Sequence, residues 1–169
     1  MTQTGPRAVL VGPMGAGKTT VANLLAHSWG VEARDTDADL VAAEGRSIAD
    51  IFVEDGEAHF RELEAAAVRT ALATHTGVLA LGGGAILDPA TRDLLAGHRV
   101  VFLRVGLSDA VKRVGLGGAR PLLLGNVRGR IKTLLDERTP VYESVATLTV
   151  DTDGRSPEDV AREIEEAFS

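Results

Sequence analysis

No cysteine occurs among the 169 residues, which removes disulfide frameworks, thiolate zinc sites and thiol nucleophiles together and allows a reducing compartment. Aromatic residues make up only 4%, with a single Trp29 and a single Tyr142, so there is no stacking platform for bases. Basic charge is also in deficit. Against 24 Asp and Glu stand 18 Lys and Arg, a formal net charge of -6, which argues against nucleic acid as a partner held by the overall field. Long hydrophobic runs are missing as well: the opening MTQTGPRAVLVG carries one Arg and then about six apolar residues, too few for a signal segment or a membrane span. The protein is therefore read as cytoplasmic, with no membrane partner. His27, His59, His75 and His98 show no ligand spacing and read as surface or helix-face residues.

What is present is ordinary globular material. Hydrophobic residues at 44% and charged residues at 25% suit one domain over residues 1–169, large enough to bury a core without staples. Five short apolar runs read as strands: Arg7 to Gly12, Val31 to Thr36, Val78 to Gly82, Val100 to Val105 and Ala146 to Asp151. The first, third and fourth are nearly continuous in Val, Leu and Ala, as in strands of a parallel sheet covered on both faces. Helical patterns lie between them. KTTVANLLAHSW follows the first strand; a longer pattern before the third sets Phe60, Leu63, Ala67 and Ala71 on one stripe; the last helix has Ser156 as N-cap and Pro157 at its first position. This alternation predicts a layered α/β fold with right-handed crossovers. The Gly- and Arg-rich stretch Val114 to Arg130 reads either as an exposed loop or as a mobile lid. No repeat or low-complexity linker is found, and nothing requires a partner subunit, so a monomer is expected.

GPMGAGKT, Gly12 to Thr19, fits the phosphate-loop pattern G-x-x-x-x-G-K-[ST], with a strand before it and a helix after it. Gly15, Ala16 and Gly17 would turn backbone N–H groups toward phosphate oxygens, the helix start adding its positive end. Lys18 would reach the β- and γ-phosphates, and Thr19 would offer its hydroxyl to Mg²⁺. A nucleotide so held serves as a switch, a motor fuel or a phosphoryl donor. The guanine-reading string N-K-x-D is absent, and nothing suggests a polymeric partner, whereas a small-molecule kinase needs only an acceptor site beside the γ-phosphate.

Three features could build that acceptor site at the carboxyl ends of the strands, where open parallel sheets bind ligands. They are Asp35 and Asp37 at the end of the second strand, Arg61 in FREL, and LGGG from Leu81 to Gly84. LGGG alone reads equally as a flexible turn or as close packing of strand and helix. A cleft guanidinium with no obligatory structural partner suggests an acceptor bearing a carboxylate. The run RDTDAD is not a calcium loop, because an EF-hand starting at Asp35 needs Gly and Glu where Leu40 and Arg46 stand. Alternation along a strand lets Asp35 and Asp37 share one cleft but does not divide their labour. Asp39 reads as solvated, and Arg34 has no assigned role.

Taken in order, GPMGAGKTT, DTD, GRSIADIF, DGEAHFRELE, LGGGAI, RPLL, ERTPVYESVA and VDTDGRSPEDV resemble the shikimate kinases, relatives of the nucleoside monophosphate kinases, through nearly the whole chain. The resemblance implies a three-layer α/β/α sandwich with a five-stranded parallel sheet in the order 2-3-1-4-5. It also implies a substrate-binding region near residues 35–64 and a mobile lid near 114–127. The implied activity is transfer of the ATP γ-phosphate to the 3-hydroxyl of shikimate, a step toward aromatic amino acids. Carried over by position, Asp37 meets the shikimate hydroxyls and can serve as general base, and Asp35 falls with Thr19 to the magnesium side. Arg61 and Arg138 clamp the substrate carboxylate, helped by Gly82, Gly83 and Gly84, with Glu64 holding Arg61; Phe52 and Phe60 line the apolar wall. Lys18 and the lid residue Arg120 surround the transferring phosphoryl group. Gly15 to Thr20 with Arg113, Arg155 and Pro157 complete the ATP contacts. Two rivals remain: a kinase for another small hydroxy acid such as gluconate, against which DTD, FREL and LGGG argue, and a noncatalytic nucleotide-binding sensor, which would not need an acceptor base or a lid arginine.

Overall fold

The computed structural model describes residues 5–116 and 127–169. Five parallel strands, β1 (Ala8–Val11), β2 (Ala33–Asp35), β3 (Val78–Ala80), β4 (Val100–Arg104) and β5 (Leu148–Asp151), lie in the order β2-β3-β1-β4-β5, as expected. Alternation along the strands makes the layers. Leu10, Ala80, Val101 and Leu103 pack on one face against α1 (Lys18–Trp29) and α8 (Pro157–Ala167). Val9, Val11, Leu79, Val100 and Phe102 pack on the other face against α4 (Glu57–Thr74), α5 (Pro89–Leu95) and α7 (Val127–Val145). Both faces being buried is why these strands read as unbroken apolar runs.

A smaller apolar cluster joins α2 (Thr36–Glu44), α3 (Ile48–Asp55) and α4 through Leu40, Ile51 and Phe60. The stripe expected on α4 is thus divided. Phe60, Leu63 and Ala67 serve this cluster, whereas Val68, Ala71 and Leu72 serve the sheet, and Glu64 is buried between the two groups. Local signals hold at the helix starts: Ser47 caps α3 and Ser156 caps α8, each accepting from a backbone N–H, with Pro157 at the first helical position. Arg46 joins Glu44, Glu54 and Asp55 and so ties the ends of α2 and α3 together.

Strand β2 is shorter than expected. It stops at Asp35, which caps α2, so Asp37 stands in the first turn of a helix rather than on a strand. Asp39 is paired with Arg34 at 2.7 Å rather than merely solvated. The stretch expected as loop or lid is helical at both flanks, α6 running Leu107–Leu116 and α7 beginning at Val127; the remainder of the expected lid, Arg120 included, lies outside the described residues.

Candidate active site

The phosphate loop leaves β1 and closes on α1. Gly15 and Gly17 have φ of 83° and 91°, a left-handed backbone that glycine adopts without strain, while Ala16 is buried beneath the loop. Lys18 Nζ donates to the loop carbonyls of Gly12 (2.7 Å) and Pro13 (3.0 Å). Burial of its ammonium lowers the pKa to about 8, the charges of Asp37 and Asp35 pulling the other way. Such a lysine is an incompletely compensated cation facing a cavity of about 300 Å³, which Gly15, Thr19, Thr20, Asp35, Asp37 and Gly82 also line. Arg113 of α6, read from the resemblance as an ATP contact, donates to the Gly15 carbonyl of the loop (3.0 Å) and to Thr152 Oγ1 (3.2 Å) and O (3.1 Å).

The two carboxylates divide by geometry. Asp35 Oδ2 accepts from Thr19 Oγ1 at 2.9 Å, and its Oδ1 accepts from the backbone of Asp37 at 2.8 Å. That places Asp35 with the Thr19 hydroxyl. Asp37 Oδ1 is buried and has no hydrogen-bond partner among the described residues. Burial, with Asp35 adding to it, raises the Asp37 pKa; Lys18 and Arg61 oppose. A buried acceptor without a donor is costly unless a ligand hydroxyl supplies one.

Two of the three glycines after β3 answer to side chains, not to backbone angle. A Cβ on Gly82 would come within 2.6 Å of Asp37 Oδ1 and 3.0 Å of Glu64 Oε2, and one on Gly84 would overlap the Arg61 guanidinium. Of the two readings of LGGG, close packing holds. We expect Gly82→Ala to reduce kcat/KM for the acceptor about 10- to 100-fold by displacing Asp37, since ångström-scale misplacement has costs of that order. A kinetic comparison with wild type checks this.

Arg61 is not unpartnered. Nη1 donates to Glu64 Oε1 at 2.8 Å, and Glu57 lies 3.5 Å from Nη2. Burial raises the Glu64 pKa, the Arg61 hydrogen bond opposing it, so acid and guanidinium hold each other in position. The guanidinium also lies 5.3 Å from the Phe60 ring centroid and 5.9 Å from that of Phe52, the two rings being 4.6 Å apart. Phe60 is core, and Phe52 is the half-buried partner. Arg138 of α7 lines a second cavity, of about 280 Å³, with Pro13, Met14 and Tyr142, and its charge bears on Glu64. Lys18, Thr19, Asp35, Asp37, Arg61 and Gly82 to Gly84 therefore converge.

Arg155 is committed elsewhere, to the Asp151 carbonyl (2.9 Å), Glu163 (2.7 Å) and the Asp159 carbonyl (3.2 Å), which fixes it against β5 and α8. Its segment still borders Arg113 through Thr152, and Pro157 opens α8 just beyond. Sequence reasoning missed Thr152, Asp109 and Asp153. Asp153 accepts from Gly106 N (2.9 Å), and Asp109 from Gly154 N (3.1 Å), tying that segment to the start of α6. It also missed Tyr142, whose hydroxyl donates to the Gly83 carbonyl at 2.6 Å; its place four residues after Arg138 was the available signal.

A family model described as shikimate kinase matches residues 14–169. The chain belongs to the shikimate kinase family. A shikimate kinase of Streptomyces coelicolor is 60% identical over 94% of this chain and 93% of its own length, and one of Mycobacterium bovis is 49% identical over 94% and 91%. Among solved structures, a shikimate kinase from Acinetobacter baumannii in complex with shikimate superposes with a TM-score of 0.90 at 34% identity, covering 98% of this chain and 93% of that one. A gluconokinase from Sinorhizobium meliloti, at 19% identity and a TM-score of 0.60, shares the fold alone. Family membership thus agrees with the sheet order and with the placement of the phosphate loop.

Proposed function

We propose that the chain transfers the γ-phosphoryl group of ATP to the 3-hydroxyl of shikimate. The observation that carries this reading is the convergence at one end of the sheet of the phosphate loop with Lys18, the Asp37 carboxylate, unpartnered among the described residues, and the Arg61 guanidinium beside a backbone where Gly82 and Gly84 leave no room for a Cβ. A hydroxyl donating to Asp37 Oδ1 satisfies that buried acceptor and sets the nucleophilic oxygen beside the loop. Asp37 can then take the proton as the oxygen attacks. Arg61, already held by Glu64, offers its remaining N–H groups to the acceptor carboxylate, and Arg138 approaches from α7. The relative bound to shikimate supports this choice of acceptor. Arg120 belongs to the proposal as the residue that meets the developing phosphoryl charge.

The donor set suits Mg²⁺ held largely by the nucleotide. Thr19 and Asp35 supply two oxygens side by side, and among the described residues no group of three or more His, Asp or Glu converges as a protein cage. When bound, the ion neutralises charge between the β- and γ-phosphates. In this chain Asp35 orients the Thr19 hydroxyl, and Lys18 exchanges its loop carbonyls for phosphate oxygens.

The deciding experiment couples ADP release from ATP to shikimate, to gluconate, or to no acceptor. Release that depends on shikimate is expected; release with gluconate alone, or no dependence on acceptor, overturns the reading. Arg138→Ala should raise the KM for shikimate about 10- to 100-fold, the scale of a lost hydrogen bond to a charged group, with the KM for ATP little changed. An unchanged shikimate KM would remove Arg138 from the clamp.

A further inference from the structure

The lone tyrosine takes no part in the chemistry described above, yet it occupies a junction. Tyr142 is fully buried, and its ring stacks on Phe102 with centroids 4.9 Å apart and planes at 28°, so the phenol is held in one direction. Its hydroxyl donates to the Gly83 carbonyl at 2.6 Å. Gly83 is the middle of the stretch that packs on Asp37 and Glu64 at Gly82 and on Arg61 at Gly84. Four residues earlier, on the same side of α7, stands Arg138, lining the same cavity. Between them Pro140 removes a backbone N–H from the middle of α7, which weakens the helix's own hold on the Arg138 turn. Phenylalanine would fill the same space in the stack, so packing alone does not call for the hydroxyl.

We propose that Tyr142 is a positioning residue: by holding the Gly83 carbonyl, its hydroxyl sets the placement of Arg138 relative to the Gly82–Gly84 backbone, and hence the span between the two guanidinium groups that grip the acceptor carboxylate. This rests on the phosphotransfer reading. Burial raises the phenol pKa, so the group remains an O–H donor across the physiological range.

The test is steady-state kinetics of the full chain with Tyr142→Phe. The KM for shikimate should rise about three- to tenfold, the scale of one buried hydrogen bond, with smaller changes in kcat and in the KM for ATP. Preference for shikimate over its methyl ester, which lacks the carboxylate charge, should fall by a similar factor. In an Arg138→Ala background the same substitution should add little, because both act on one contact. An unchanged shikimate KM, a change shared equally by ATP, or additivity with Arg138→Ala would each overturn the proposal. Wild-type protein that releases no ADP in response to shikimate would remove the phosphotransfer reading and this one together. Wild-type turnover with an indifferent Tyr142→Phe removes this one alone. Should that variant fold poorly, 3-fluorotyrosine incorporation labels only this position, since the chain has one Tyr. Its fluorine resonance should shift on saturation with shikimate, and much less in Arg138→Ala; a signal indifferent to shikimate would count against the role.

Discussion

Lys18→Met is expected to lose at least about 1,000-fold in kcat, and at pH 7 without nucleotide to melt higher than wild type. The first part follows from where the charge stands: removing one preorganised donor from a transition-state oxyanion typically costs up to that factor, and on the proposed reading Lys18 would bring a full positive charge to the anionic phosphate oxygens. The second follows from linkage. In the unfolded chain the lysine keeps its proton to about its ordinary 10.5, in the folded free protein only to about 8. Between those values unfolding takes up a proton, so wild-type stability from this group rises with pH. Below 8 the ammonium is charged in both states, and its burial opposes folding in full. Methionine keeps the stem and discards the charge. The thermal advantage of the variant should therefore be largest at and below neutrality and shrink toward pH 10. Calorimetry across that range with a turnover assay checks both parts; substantial turnover by the variant, or a melting temperature well below wild type at pH 7, would contradict them.

Asp37→Asn should reduce kcat about 100- to 10,000-fold, the usual span for a general base, while nucleotide affinity changes little. The geometry makes this more than a generic expectation. Asn keeps the volume against Gly82 and still presents an oxygen, so packing is conserved while proton acceptance and the negative charge facing Lys18 are removed. The pH profile separates the two roles. Because burial and Asp35 raise the Asp37 pKa, wild-type kcat/KM should fall on the acid side above the ordinary carboxylate range, as the base becomes protonated. That limb should vanish in Asp37→Asn. If the variant keeps near-normal kcat, Asp37 orients the hydroxyl without taking its proton.

The sheet was legible because its three inner strands are buried on both faces and therefore written in apolar residues, and the phosphate loop because its chemistry dictates glycines at fixed positions. Labour within the acidic cluster was not. Period two placed Asp35 and Asp37 on one strand, whereas the capping preference of Asp35 ended the strand and began α2, a choice that local hydrogen bonding makes and hydrophobic periodicity does not record. The Arg34–Asp39 pair was hidden for the same reason. Partners far apart in sequence were least visible. Nothing near Tyr142 announces Gly83, 59 residues away, and nothing near Arg113 announces Thr152.

The brevity of β2 has a meaning beyond the active site. It forms one edge of the sheet, and β5, only four residues long, forms the other. A short edge gives a neighbouring chain little unpaired backbone on which to nucleate a foreign strand. Ending β2 at a capping aspartate thus also guards the folded protein against edge-to-edge aggregation. Replacing that cap by a β-branched residue such as valine would weaken this guard as well as the grip on Thr19.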